Sequence, residues 1–172
     1  MHVLTVGHGR RPLEELLAVL RAAATETLVD VRRFPGSRRN PQFNLRPLAE
    51  ALGDAGIRYV HAVELGGLRS GEPGEERFAC IRVPAFRAYA ARMRRPEWQQ
   101  ALAAALSEQA PTFMCAETPW QRCHRRFIAD VLTARDHNVV HLIRPGESEP
   151  HRLPDYAEAR GGTLYICGVE AA

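Results

Sequence analysis

Between Cys115 and Arg126 the chain carries two thiols, a carboxylate, an imidazole and three guanidiniums. The run reads Cys115-Ala-Glu117-Thr-Pro-Trp-Gln-Arg122-Cys123-His124-Arg125-Arg126. Glu117 is suited to general acid/base work, and His124 can share it. Cys115 and Cys123 are nucleophiles if a cationic neighbour favours the thiolate. The stretch opens with an apolar run, Thr112 to Cys115, and turns at Thr118-Pro119. Phe127, Ile128, Val131 and Leu132 then recur at helical spacing. A strand–turn–helix of this kind sits at the carboxyl end of a strand. Open parallel sheets bind ligands there, and helix N-termini favour anions.

Other strand ends would have to converge on that turn. His2 to Val6 reads as a first strand, followed by the tight turn Gly7-His8-Gly9 and a helix with Pro12 as its first residue. Leu13, Leu16, Leu17 and Leu20 fall on one face of that helix. Thr27 to Val31 is continuously apolar apart from Asp30, as a buried parallel strand is. Asp30 there either meets a ligand or tethers Arg32. The segment Arg32 to Phe43 has four arginines, Phe34 and Phe43, and neither a helical nor a strand period. Such a run is either a solvated loop or a set of phosphate contacts with stacking surfaces. Leu45 to Asp54 reads as a helix, and Ile57 to His61 as a third strand with Tyr59 and His61 on one side. An irregular insert from Glu64 to about Val83 follows, then helices from Pro84 to Met93 and Pro96 to Ala110, and a strand from Asn138 to Ile143. His141 in that strand reads as a hydrogen-bonded core histidine. From Arg144 the composition suggests a loop or mobile arm, with Thr163 to Cys167 as a last edge strand.

The expectation is one α/β domain over residues 1–172, with three layers and a mostly parallel sheet of five or six strands flanked by helices. Its core would span about 1–143. A chain of 172 residues is long enough for such a core. No apolar run approaches the roughly 20 residues a membrane span needs. The N-terminus reads as a strand and not as a signal peptide, so a cytoplasmic protein with no membrane partner is expected. Four cysteines without a secretory signal read as reduced. Cys80 and Cys167 stand outside the cluster and are given no role. All 23 basic residues are arginine, so every cationic side chain is a planar fork suited to phosphate or carboxylate.

The order of motifs resembles the DUF488 family. The resemblance rests on Thr5-Val-Gly-His8, Val29-Asp-Val-Arg32 with Pro35 and Ser37, Phe43, Tyr59-Val-His61, Leu65-Gly-Gly67, Phe86 with Tyr89-Ala90, Cys115-Ala-Glu117 and Cys123-His-Arg125. It implies a compact α/β domain and no established activity. Family members commonly carry Ser or Thr after the Gly-His pair, where this chain has Gly9.

The candidate catalytic residues are therefore Glu117, Cys115, Cys123 and His124. The candidate ligand contacts are Gly7, His8, Asp30, Arg32, Ser37, Arg38, Arg39, Phe43, Tyr59, Arg122 and Arg125. The leading expectation is binding or processing of DNA, RNA or a nucleotide-like anion, with no cofactor. A thiol enzyme is a second reading, because Asp30-Val-Arg32 resembles the strand end of rhodanese-like domains. Phosphatase-like loops have five residues between Cys and Arg, whereas Cys115 and Arg122 have six between them and Pro119 lacks an amide donor. A third reading uses Cys115, Glu117, Cys123 and His124 as donors for zinc or iron, although adjacent residues rarely share a metal. A non-catalytic binding module, with both cysteines merely packing the turn, needs the same residues and no chemistry.

Overall fold

The first strand, β1 (His2–Gly7), runs through the middle of the sheet, so its apolar residues face both ways. Val3 packs into one helical layer and Val6 into the other. This is a computed structural model, and it describes residues 1–67 and 71–172. After β1 come α1 (Leu13–Ala22), β2 (Thr27–Asp30), α2 (Leu45–Asp54) and β3 (Arg58–His61). Next are α3 (Pro84–Arg92), α4 (Pro96–Leu106), β4 (Pro111–Cys115), α5 (Arg125–Ala134), β5 (Asn138–Arg144) and β6 (Glu147–Pro150). The strand order is β3-β2-β4-β1-β5-β6, parallel throughout except for β6. Pro84 and Pro96 open their helices, where a missing N–H costs nothing. Pro12 sits one position earlier than its sequence suggests, as the N-cap of α1.

One face of the sheet is covered by α1 and α2 through Leu16, Val19, Leu20, Leu48 and Leu52. The other is covered by α3, α4 and α5 through Tyr89, Trp98, Leu102, Phe127 and Leu132. The chain leaving β1 crosses the first face to reach β2, and the chain leaving β4 crosses the second to reach β5. Adjacent β1 and β4 thus send their connections in opposite directions. That divergence opens a crevice at their carboxyl ends, the usual ligand position in such sheets. Gly7 pairs with Cys115 at its base. Past the strand ends, the His8 and Gly9 amides still donate to the carbonyls of Cys115 and Ala116 at 3.0 and 2.9 Å.

Two expectations are corrected. Residues 144–172 are not an arm. β6 pairs with β5 as the edge of the main sheet, and β7 (Ala157–Arg160), β8 (Thr163–Ile166) and β9 (Val169–Glu170) form a second, antiparallel sheet. Thr163–Ile166 is the centre of that sheet, not an edge of the first. Leu164, Ile166 and Ala171 are fully buried in the same cluster as α5. The second correction concerns Cys80 and Cys167, read as reduced and without a role. Their sulfurs are in bonding contact with Cα atoms 5.8 Å apart, within cystine range. They are 87 residues apart, so nothing local could signal the pairing. The insert from Glu64 to Val83 holds short 3-10 turns at Val63–Leu65 and Glu75–Phe78, while the part at 68–70 lies outside the described residues. Among the described residues no helix is long and apolar enough to cross a membrane.

Because the small sheet shares the core of α5, Ile166→Ala should destabilise the whole domain by about 2–5 kcal/mol. Urea unfolding followed by tryptophan fluorescence should show one transition at lower midpoint. A separate early transition, with the main one unmoved, would mean that the small sheet unfolds independently.

Candidate active site

Arg125, the first residue of α5, is 1% exposed, and among the described residues no carboxylate forms an ion pair with it. Its Nη1 donates to Cys115 Sγ at 2.9 Å and to the Glu117 carbonyl, and its Nη2 donates to the Thr118 carbonyl at 2.8 Å. Burial pushes its pKa down to about 10, opposed by the charge of Glu117. The guanidinium therefore curls residues 116–118 around itself and faces the Cys115 sulfur. Gly7 makes this possible, because a Cβ there would meet the Glu117 carbonyl and would lie 2.8 Å from Arg125 Nη1.

Cys123 sits beside Cys115, and their sulfurs touch. Their Cα atoms are 7.5 Å apart, beyond the span of a cystine. The two are adjacent sulfurs rather than a cystine. The Arg125 amide donates to Cys123 Sγ at 3.4 Å, which places this sulfur at the N-terminus of α5. His124 Nε2 donates to the Val31 carbonyl at 2.9 Å, leaving Nδ1 as an acceptor 3.8 Å from Cys123 Sγ. The ring is walled by Gly67, where a Cβ would lie 3.0 Å from Nδ1, and by Tyr89 at 5.2 Å between centroids. Tyr89 is in turn fixed by donating to the Leu65 carbonyl at 2.8 Å and accepting from Trp98.

A second buried polar group flanks the thiols. Asp30, fully buried, accepts from Arg32 Nε at 2.8 Å and from Arg32 Nη2 at 2.5 Å. It also accepts from Tyr59 at 2.7 Å, and burial first and Asp30 second raise the Tyr59 pKa. Arg32 Nη1 donates to His8 Nε2 at 3.1 Å, while His8 Nδ1 donates to the Gly9 carbonyl at 2.9 Å. His8 is thus neutral, with its pKa pushed down to about 4 by burial and then by Arg32. His61 Nε2 donates to the Arg32 carbonyl at 2.8 Å.

These groups line two adjoining parts of one crevice. One, of about 630 Å³, has Cys115, Cys123, His124, Glu117, Arg32 and Arg33 in its walls. The other, of about 540 Å³, has His8, Arg10, Arg32, Ser37, Asn40 and Glu117. The size suits a small-molecule ligand. Arg33 and Phe34 stand exposed at the mouth, with the guanidinium 5.2 Å from the Phe34 ring centroid.

The structure brings together Gly7, His8, Asp30, Arg32, Ser37, Tyr59, Cys115, Glu117, Cys123, His124 and Arg125. Within that group Asp30 and Tyr59 hold Arg32 rather than lining the crevice, and Arg125 lies behind the Cys115 sulfur. Glu117 is exposed in the wall. Two of the expected contacts stand elsewhere. Phe43 is fully buried and stacks on His8 at 4.3 Å, so it backs the imidazole and offers no stacking face. Arg122 faces a different depression, with Phe86, Arg126 and Tyr156. Arg38 and Arg39 are exposed beside the mouth, and the Arg39 amide donates to Ser37 Oγ at 3.2 Å. The four donors considered for a metal do not converge, since among the described residues no three His, Cys, Asp or Glu are grouped to hold an ion.

Sequence reasoning named Phe34 as a stacking surface and counted Arg33 among the loop arginines, but it missed Gly67 and the Tyr89–Trp98 pair as walls of His124. It also missed what holds α5. Thr5 donates to His141 at 2.6 Å, His141 pairs with His151 at 2.9 Å, and His151 Nε2 donates to Asp130 of α5 at 2.8 Å. Trp120, from the site turn, stacks on His141 at 4.2 Å. His141 is the buried, hydrogen-bonded core histidine that its position in the strand suggests.

A model for the family described as domain of unknown function DUF488 matches residues 12–132, more than half of the chain. No curated protein and no solved structure matches it.

Three buried imidazoles have depressed pKa values. His8 and His124 are at about 4, and His141 is at about 3, where burial acts first and His151 second. Unfolded histidine binds a proton near pH 6.5, so these groups contribute full stability above about 6.5 and lose it as pH falls towards about 4. Urea midpoints should therefore drop steeply between pH about 7 and about 4.5. His8→Gln, which cannot protonate, should give a shallower slope. An unchanged slope would place the acid sensitivity elsewhere.

Proposed function

Since the chain belongs to the DUF488 family, whose description carries no activity, we propose from the site itself that it is a cysteine-dependent enzyme acting on a small anionic ligand of nucleotide size. One observation carries this reading, the buried Arg125 guanidinium donating to Cys115 Sγ, while among the described residues no carboxylate is in ion-pair contact with it and Glu117 acts on it only from further off. A buried cation requires a counter-charge, and the sulfur is the group in contact that can supply one. Cys115 is then the nucleophile. The exposed arginines Arg10, Arg33, Arg38 and Arg39 draw the anion in, and Arg32 is committed to Asp30 and His8. Glu117, at the wall, is the group that can exchange a proton with a leaving group.

Cys115 is almost closed to solvent, so a reagent must enter through the crevice to reach it. Iodoacetate should therefore alkylate Cys115 faster than iodoacetamide does, after each rate is divided by that for a free thiol. Arg33→Ala should reduce the preference, and Arg125→Met should slow both reagents by about ten-fold or more. Peptide mapping locates the modified residue. Reaction no faster than in the unfolded chain, without charge preference, would refute the thiolate reading.

A nucleic-acid strand is the second reading, and Phe34 favours it. The ring is 74% exposed, lies under Arg33, and is followed by Arg38 and Arg39. That combination suits stacking with phosphate contacts. Labelled single-stranded DNA or RNA should bind with an affinity that falls log-linearly with salt. Arg38→Ala/Arg39→Ala should weaken it and flatten the salt slope. No anisotropy change at low salt would leave the small anion alone.

A further inference from the structure

The two sulfurs at the crevice floor differ in their surroundings. Cys115 has a buried guanidinium and no base. Cys123 has an imidazole acceptor at 3.8 Å and a helix N-terminal amide at 3.4 Å. Both line the same cavity, and their sulfurs touch. A single-thiol enzyme has no use for a second thiol at attacking distance with its own base.

We infer that Cys115 and Cys123 are an attacking and a resolving thiol, and that the site reduces small anionic disulfides by thiol–disulfide exchange. This rests on Cys115 being the nucleophile, as proposed above. The Cys115 thiolate attacks one sulfur of R–S–S–R, forming Cys115–S–S–R and releasing one RS⁻. Cys123 gives its proton to His124 Nδ1 and attacks the Cys115 sulfur. The second RS⁻ leaves and takes up that proton. The dithiol has lost two electrons and the substrate has gained two, and an external dithiol then restores the pair. The arginines at the mouth select carboxylate- or phosphate-bearing disulfides over cationic ones.

The 7.5 Å Cα separation fits a reactive pair better than a permanent bond. Closing it into a cystine moves the backbone by about 1 Å. That movement falls on the turn that holds His124 against Val31 and Arg125 against Cys115. The intramolecular bond therefore forms against the packing of the site, which keeps it open to reduction.

The test uses the reduced full-length protein with oxidised glutathione, followed by peptide mapping without reduction. The wild type should yield linked Cys115 and Cys123 peptides with both halves of the disulfide released as thiol. Cys123→Ser should stop with glutathione on Cys115, and His124→Gln should prolong that mixed disulfide in the pH range where His124 is neutral. Cystamine, a cationic disulfide, should react more slowly. Glutathione remaining on wild-type Cys115 without linkage would overturn the resolving role and leave the nucleophile standing. Cys115 that is inert to glutathione disulfide yet alkylated by iodoacetate would overturn this substrate class alone. Cys115 inert to both reagents would remove the reading beneath it, and the inference with it.

Discussion

A guanidinium sealed against the carboxyl ends of two adjacent strands, β1 and β4, is the constraint around which the rest is arranged. Taking a cation out of water is costly, and proteins normally pair a buried arginine with a carboxylate. Arg125 instead has two carbonyls and a sulfur. That solution needs glycine at position 7, because any side chain there would occupy the space taken by the Glu117 carbonyl and the guanidinium. It also needs the 116–118 turn to curl inwards so that its carbonyls point at the cation. The same curl turns the Glu117 side chain outwards into the crevice wall.

The helix that delivers Arg125 has to be held rigidly for this to work. One end of α5 meets the site and its middle is tied through Asp130 to His151, His141 and Thr5. With His141 held neutral by burial, donation runs from the Thr5 hydroxyl through His141 and His151 to the Asp130 carboxylate. Burial raises the Asp130 pKa while the hydrogen bond from His151 opposes it. The hairpin and small sheet after β5 are thus part of the support for α5. They supply His151 and the apolar residues Leu164 and Ile166 that pack on the helix.

The fold was legible where a hydrophobic period met a clear stop. The helix Leu45–Asp54 could be read to the residue, with Leu48 and Leu52 inside and Ala55-Gly56 after it. Continuous apolar runs gave β1, β2 and β4, and their carboxyl ends placed the site. The C-terminal sheet was not legible. Glu147–Pro150 and Ala157–Arg160 have their side chains mostly in water, and three small anchors, Leu164, Ile166 and Ala171, bury the whole unit. Within the site, residue types were right more often than roles. Phe43 looked like an exposed aromatic among arginines, but the turn at Pro41–Phe43 folds it under His8. Of the two readings open for Asp30, the tether to Arg32 is the one the structure shows, so Arg32 is held two residues away by that carboxylate. Pairings across long separations, such as Tyr89 with Leu65 or Arg125 with Cys115, depend on strand order and leave no local mark.

The choice between an inert and a reactive Cys115 turns on what a packing residue would require. A cysteine that only fills space is best placed among apolar neighbours, where its sulfur makes dispersion contacts and nothing more. Cys115 does have such neighbours on the sheet side, in the cluster with Phe113 and Phe127. Its sulfur nevertheless meets a buried cation that would be easier to satisfy with an aspartate and is not satisfied with one. Replacing the thiol by a methyl or a hydroxyl would leave that guanidinium without any group in contact that can carry negative charge, and with only the more distant Glu117 charge to offset it. A thiolate at that sulfur would meet the need of the buried cation directly, and this is the physical ground on which the proposal of Cys115 as a nucleophile stands.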